Sequence, residues 1–253
     1  MKKLLAILLL VAFACGALVS CSPVQMLERA SRALEEAPYK VTMKMGFECD
    51  DKEYNEIFSM MNFELPMIVD GENMEITMDM VVMGYSADIT MTLVDRVLYY
   101  SMSIMGEKVK AKTELSDEDF ADFIEDNKND ILSNPEKFFT NLSVESKDGK
   151  NYITCEGISP EGLEELDETV GDTLESLDDA NASVDNVKCL IIISDGKYEE
   201  INLTCDYTIE ANGKTITVTL NLDAEFSYTK VPQVKAPANP ETYEDTNYED
   251  MVG

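Results

Sequence analysis

Histidine is absent from this chain, so the imidazole that activates a serine or cysteine nucleophile is missing, and with it the commonest nitrogen ligand of a metal. Chemistry is left to carboxylates, tyrosine, serine, lysine and cysteine. Cys49, Cys155, Cys189 and Cys205 show neither a C-x-x-C pair nor a metal-ligand spacing. Each falls on the apolar side of an alternating segment, where a free cysteine behaves as a small hydrophobe. Buried thiols are therefore expected ahead of disulfides, and pairing, if it occurs, has three connectivities open to it. Met43-Lys44-Met45 and Met78-Asp79-Met80 each put two thioethers on one face of a strand, as a copper(I) site would. With no histidine beside them they read as core, and no metal or cofactor is expected. Asp178, Asp179 and Asp185 lack the loop pattern of a calcium site. A carboxylate pair for glycoside hydrolysis is permitted by composition, but no tryptophan is present to stack on a sugar. No catalytic residue is assigned, and the chain is expected not to be an enzyme.

Cys21 has a different setting. Lys2 and Lys3 precede an apolar run from Leu4 to Ala14, followed by Leu18-Val19-Ser20-Cys21. This is the layout of a secretory signal peptide over residues 1–20, and its apolar core is shorter than the ~20 residues a membrane span needs. Leu-Val-Ser-Cys resembles the lipobox of bacterial lipoproteins. That resemblance implies acylation of Cys21 on sulfur and attachment of the mature chain, through its N-terminal acyl chains, to the extracytoplasmic face of the cell membrane. Cys15 fits less well, because Phe13 is bulky where the pattern has a small residue.

The chain carries 50 acidic and 20 basic residues, a net charge of −30, and loss of Lys2 and Lys3 makes it more acidic still. Such a surface repels nucleic acid, and repels an anionic membrane unless the acyl chains hold it there. No protein partner is named by any motif.

The elements that must position these residues follow from periodicity. Ser22-Pro23-Val24-Gln25 reads as a capping box opening a helix that closes near Ala37, ahead of Pro38. Tyr39 to Cys49 alternates without a break, as a half-buried strand does. Residues 50–66 fit a strand or a short helix, interrupted by Pro66. Strands follow at Met74 to Val82, Tyr85 to Leu93, 97–105 and 107–113. A helix from Ser116, ended by Asn134-Pro135, leads to strands near 142–147 and 151–157 and to an acidic helix over 160–180. Strands at 184–194, 197–209 and 214–230 are joined by Asp195-Gly196 and Asn212-Gly213. The Pro-containing acidic segment 232–253 reads as an exposed tail.

Helix, antiparallel meander, helices, second meander is an α+β order. On a lipobox it is similar to the LolA/LppX-like family, which includes lipoprotein carriers and mycobacterial lipid-binding lipoproteins. The resemblance covers residues 21–231 as one domain and departs at the acidic helix. It implies a strongly curved antiparallel sheet, an unclosed half-barrel, with helices covering the concave face and a lipid or other apolar small molecule held there. Methionine concentrates on the first meander and adapts readily to acyl chains. The wall is accordingly expected to use Met43, Met45, Phe47, Met78, Met80, Met91, Leu220 and Phe226. The alternative is a filled core and an envelope interaction protein acting through the acidic helix and the tail from Glu241 to Asp250.

Overall fold

Alternation of apolar and polar residues gives every long strand of this chain one oily and one wet face, and antiparallel pairing carries that face from strand to strand. The computed structural model describes residues 22–52, 54–55, 62–82, 85–126, 138–160, 162, 181–211 and 214–248. The strands are β1 (Tyr39–Cys49), β2 (Phe63–Asp70), β3 (Asn73–Val82), β4 (Tyr85–Val94), β5 (Val97–Ile104), β6 (Glu107–Glu114), β7 (Ser143–Lys147), β8 (Lys150–Cys155), β9 (Asn181–Ser194), β10 (Lys197–Ala211), β11 (Lys214–Ser227) and β12 (Glu244–Asp245). They form one unclosed, mixed sheet in the order β12-β6-β5-β4-β3-β2-β1-β11-β10-β9-β8-β7. All pairs are antiparallel except β12 with β6. The two meanders are thus one sheet, joined where β1 pairs with β11 from Lys40↔Ser227 to Cys49↔Val218.

Tight turns hold the register. Asp95-Arg96, Met105-Gly106, Asp148-Gly149 and Asp195-Gly196 have positive φ at both central positions, the backbone of a type I′ hairpin turn. Arg96 is neither glycine nor asparagine, and its neighbours hold it in place. Its carbonyl accepts from the Leu115 amide at 2.8 Å, its guanidinium pairs with Asp117 and lies 5.1 Å from the Phe120 ring centroid.

Two α-helices among the described residues, α1 (Pro23–Glu36) and α2 (Asp117–Asp126), dock on the apolar face. The capping box of α1 is present: the Ser22 side chain accepts from the Gln25 amide and the Gln25 side chain accepts from the Ser22 amide, both at 3.3 Å. Leu27 and Ala30 of α1 share a buried cluster with Val41, Ile153, Ile191, Ile193, Tyr198 and Ala224. The Tyr198 hydroxyl donates to the Leu27 carbonyl at 3.3 Å and sits 2.8 Å from Ser31 Oγ. Helix α2 opens on Ser116, whose hydroxyl accepts from the Asp119 amide at 3.1 Å. Asp117, Glu118 and Asp119 lie in its first turn, where negative charge suits the helix dipole. Phe123 is buried with Leu93, Leu98 and Leu115. No helix among the described residues is long and apolar enough to cross a membrane.

Three expectations change. Segment 63–70 is a strand inside the sheet despite Pro66, which lacks an N–H. The ladder from β2 to β3 passes from Glu64↔Asp79 to Met67↔Ile76 without a pair at Leu65 or Pro66, so the missing donor falls in a gap. The final strand ends at Ser227, shorter than its alternation implied. The segment after 232 is not a free tail through residue 248: Val234 and Tyr243 are buried, a 3-10 turn spans Pro240–Thr242, and β12 pairs with β6. Composition suggested exposure, but Tyr243 packs edge-on against Tyr99 at 5.4 Å, and Lys110 and Lys112 receive its neighbours. The expected helix 160–180 lies outside the described residues except at 160 and 162; the end of the second helix beyond 126 and Met1 to Cys21 lie outside them as well.

Candidate ligand-binding face

Register places the expected wall residues on one side of the sheet. Val41 pairs with Phe226 and with Met67, Met67 with Ile76, Ile76 with Met91, and Met91 with Tyr100. One step along the strands, Met43 lies opposite Leu65, while Met78, Ile89 and Met102 continue a parallel row. Each strand thereby contributes one apolar side chain per row, about 4.8 Å from the next.

Burial divides this face. Beneath α1 and around β9 to β11 the side chains are closed off from water: Ile153, Cys155, Ile191, Tyr198, Cys205 and Leu220 are all buried. Beneath α2, Leu93 and Leu98 are buried. Between these regions, on β2 to β5, Phe63, Leu65, Ile76, Met78, Ile89, Tyr100 and Met102 are only half-buried and belong to none of the buried clusters. The Tyr100 hydroxyl bonds the Met102 sulfur at 3.4 Å, which satisfies that polar tip without breaking the oily surface.

Of the expected wall, Met43, Met45, Phe47, Met78 and Met91 are half-buried on this face. Met80 shares it by register, opposite Ala87, and its side chain lies outside the described residues. Leu220 is core, packed with Cys205, Tyr207 and Val218. Phe226 lies in an aromatic group, 5.7 Å from Tyr198 and 6.2 Å from Tyr39. Sequence reasoning left residues 50–66 open between strand and helix and named no wall residue on β2: Phe63, Leu65, Met67 and Val69 do alternate, and Pro66 falls on the opposite phase, so the signal was present. Tyr100 and Met102 were missed although they alternate in the same way.

A separate cleft of about 470 Å³ opens at the end of the sheet where the β2–β3 and β4–β5 turns meet α2, lined by Asp70, Gly71, Glu72, Asn73, Asp95, Arg96 and Phe120. It contains none of the expected wall residues, and its carboxylates unfit it for an apolar ligand. Arg96, the one cation among the described residues that line it, is engaged by Asp117 and Phe120. Among the described residues no group of three or more Cys, Asp or Glu is placed to hold a metal ion.

Buried and half-buried titratable groups on the apolar side favour their neutral forms. Burial raises the Tyr39 phenol and pushes the Cys205 thiol up to about 11 from an ordinary 9.0. Tyr228 is raised by burial and then by the neighbouring Tyr39 and Tyr198. A folded-state pKa above the unfolded value gives stability that is complete below the unfolded pKa and is lost as pH rises through the folded one. The urea midpoint is therefore expected to fall steadily above about pH 9, and Cys205→Ala to flatten the decline between pH 9 and 11. A midpoint independent of pH over that window would contradict the burial of these groups.

Residues 24–241 match the model of a family described as a family of unknown function, DUF6612. No curated protein matches the chain.

Proposed function

We propose, from the premise that the chain belongs to the DUF6612 family, that it is a non-enzymatic binding protein for a lipid or other apolar small molecule. In this reading it is anchored through acylated Cys21 on the extracytoplasmic face of the cell membrane. The sheet curves so that the methionine-rich face is concave, α1 and α2 cover its two ends, and the ligand lies along β2 to β5 between them.

The observation that carries the reading is the interruption of burial. A single apolar face runs under both helices, yet the rows through Met67, Ile76, Met91 and Tyr100 and through Met78, Ile89 and Met102 stay half-buried. Apolar area left partly in water is a favourable place for an apolar partner, at about 25 cal/mol per Å² covered. Unbranched methionine side chains can repack around chains of different shape. The reading agrees with what the resemblance to LolA/LppX-like lipoproteins implies. The alternative, action through an acidic surface, rested partly on the C-terminal segment, which is docked through Tyr243 and keeps Glu241, Glu244 and Asp245 exposed.

Titration of the chain with a fluorescent fatty acid tests the proposal. Saturable binding of about one equivalent, with a Kd near 1 μM or tighter, is the expected result, equivalent to roughly 8 kcal/mol. A signal that rises without saturation, as for unspecific adsorption, would count against it.

A further inference from the structure

Cys155 in β8 and Cys189 in β9 are directly opposite each other in the antiparallel register, and both are buried, 1% and 4% exposed. Residues opposed in this way have Cα atoms about 4.5–5.5 Å apart, inside the range a disulfide bridges. The other cysteines are placed differently. Cys205 in β10 is opposite Leu220, while Cys189 is opposite Leu203, so Cys189 and Cys205 are offset along the strands, about 7–8 Å apart. Cys49 and Cys205 have β11 between them, about 10 Å across. Of the three ways to pair four cysteines, none but the one containing Cys155–Cys189 has any directly opposed pair.

We propose that Cys155 and Cys189 form a cross-strand disulfide during folding of the exported chain, leaving Cys49 and Cys205 as thiols. The two thiols lose two protons and two electrons to a low-molecular-weight disulfide. One sulfur–sulfur bond forms in the protein while that of the oxidant breaks to give two thiols. Closure precedes final packing, since Leu27 and Ala30 of α1 share the buried cluster with both sulfurs. The structure shows the reduced form, with both cysteines as free thiols; once that form is folded, the hydrogen bond to Cys155 and then burial hold the Cys189 thiol far above its ordinary pKa, so the thiolate needed for exchange is scarce. The link would tie the ends of the intervening acidic segment, residues 156–188, to adjacent strands.

Trypsin separates Cys49, Cys155, Cys189 and Cys205 from one another, because Lys44, Lys52, Lys150, Lys188, Lys197 and Lys214 bracket them. The full chain is unfolded in reductant, refolded with glutathione disulfide, blocked with an alkylating reagent and digested without reduction. The expected product is peptide 151–188 joined to 189–197, two hydrogens lighter than the sum, with Cys49 and Cys205 alkylated. Alkylation of both Cys155 and Cys189, or a link involving Cys49 or Cys205, would overturn the proposal. The oxidised chain should melt on the order of 5–10 °C above the reduced one. The Cys155→Ala/Cys189→Ala variant, which keeps the sites small and apolar, should be indifferent to reductant. A wild-type midpoint unmoved by reductant would equally overturn it.

Discussion

Leu98→Ala is expected to lower the free energy of unfolding by about 3 kcal/mol, within the 2–5 kcal/mol typical of a fully buried leucine. Leu98 is wholly buried between Leu93, opposite it in β4, and Phe123 of α2, and the backbone around it has little room to collapse because the Asp95-Arg96 turn is held by Leu115, Asp117 and Phe120. The same substitution removes the seat of α2. Limited proteolysis should then cut within 117–126 faster than elsewhere, while the α1 end, whose cluster shares no residue with this one, keeps its protection. Urea unfolding and the order of proteolytic cleavage read the two effects. A loss below about 1 kcal/mol would mean that α2 does not depend on this contact.

The second large effect is on binding. Met78 is half-buried on the apolar face, opposite Ile89 of β4, so Met78→Asp leaves its charge access to water in the empty protein and costs folding little. Beneath a bound acyl chain that carboxylate would be desolvated without a partner, a penalty of at least about 2 kcal/mol, or roughly a 30-fold rise in Kd. Met78→Leu, close in volume and apolar, should bind within a few-fold of wild type. Asp88→Asn serves as the control, since Asp88 lies on the opposite face of β4 and is exposed. Fluorescent fatty acid titration of the three variants separates a wall residue from a bystander: equal affinity for Met78→Asp and wild type would remove Met78, and the row it belongs to, from the site.

What could be read from the sequence was local. The capping box at Ser22 and Gln25, the span of β1 and the Asp-Gly turns are short-range features whose physics acts within a few residues, and they appear where periodicity put them. The phase of each strand was legible too, so five of the wall candidates fall together on one half-buried face. The rest depends on contacts far apart in the chain. Nothing near Tyr39 or Ser227 marks β1 and β11 as neighbours, and that pairing is what makes one sheet of two meanders. It is also why Leu220 and Phe226 turn out packed in the core and the aromatic group. Pro66 masked a strand because a missing donor usually excludes an interior strand, whereas here the ladder opens a gap for it. The C-terminal segment misled for a different reason. Its prolines and acids suggest a solvated chain, but Val234 and Tyr243 suffice to dock it, and β12 then covers the edge that β6 would otherwise present.

The most direct test of the central claim is native mass spectrometry of the gently purified protein, followed by organic extraction of whatever it carries. The account predicts a species heavier than the denatured polypeptide from the same preparation by the mass of one apolar molecule, recovered in the organic phase and absent from Met78→Asp. A polypeptide mass alone, unchanged after incubation with fatty acid and phospholipid vesicles, would contradict it.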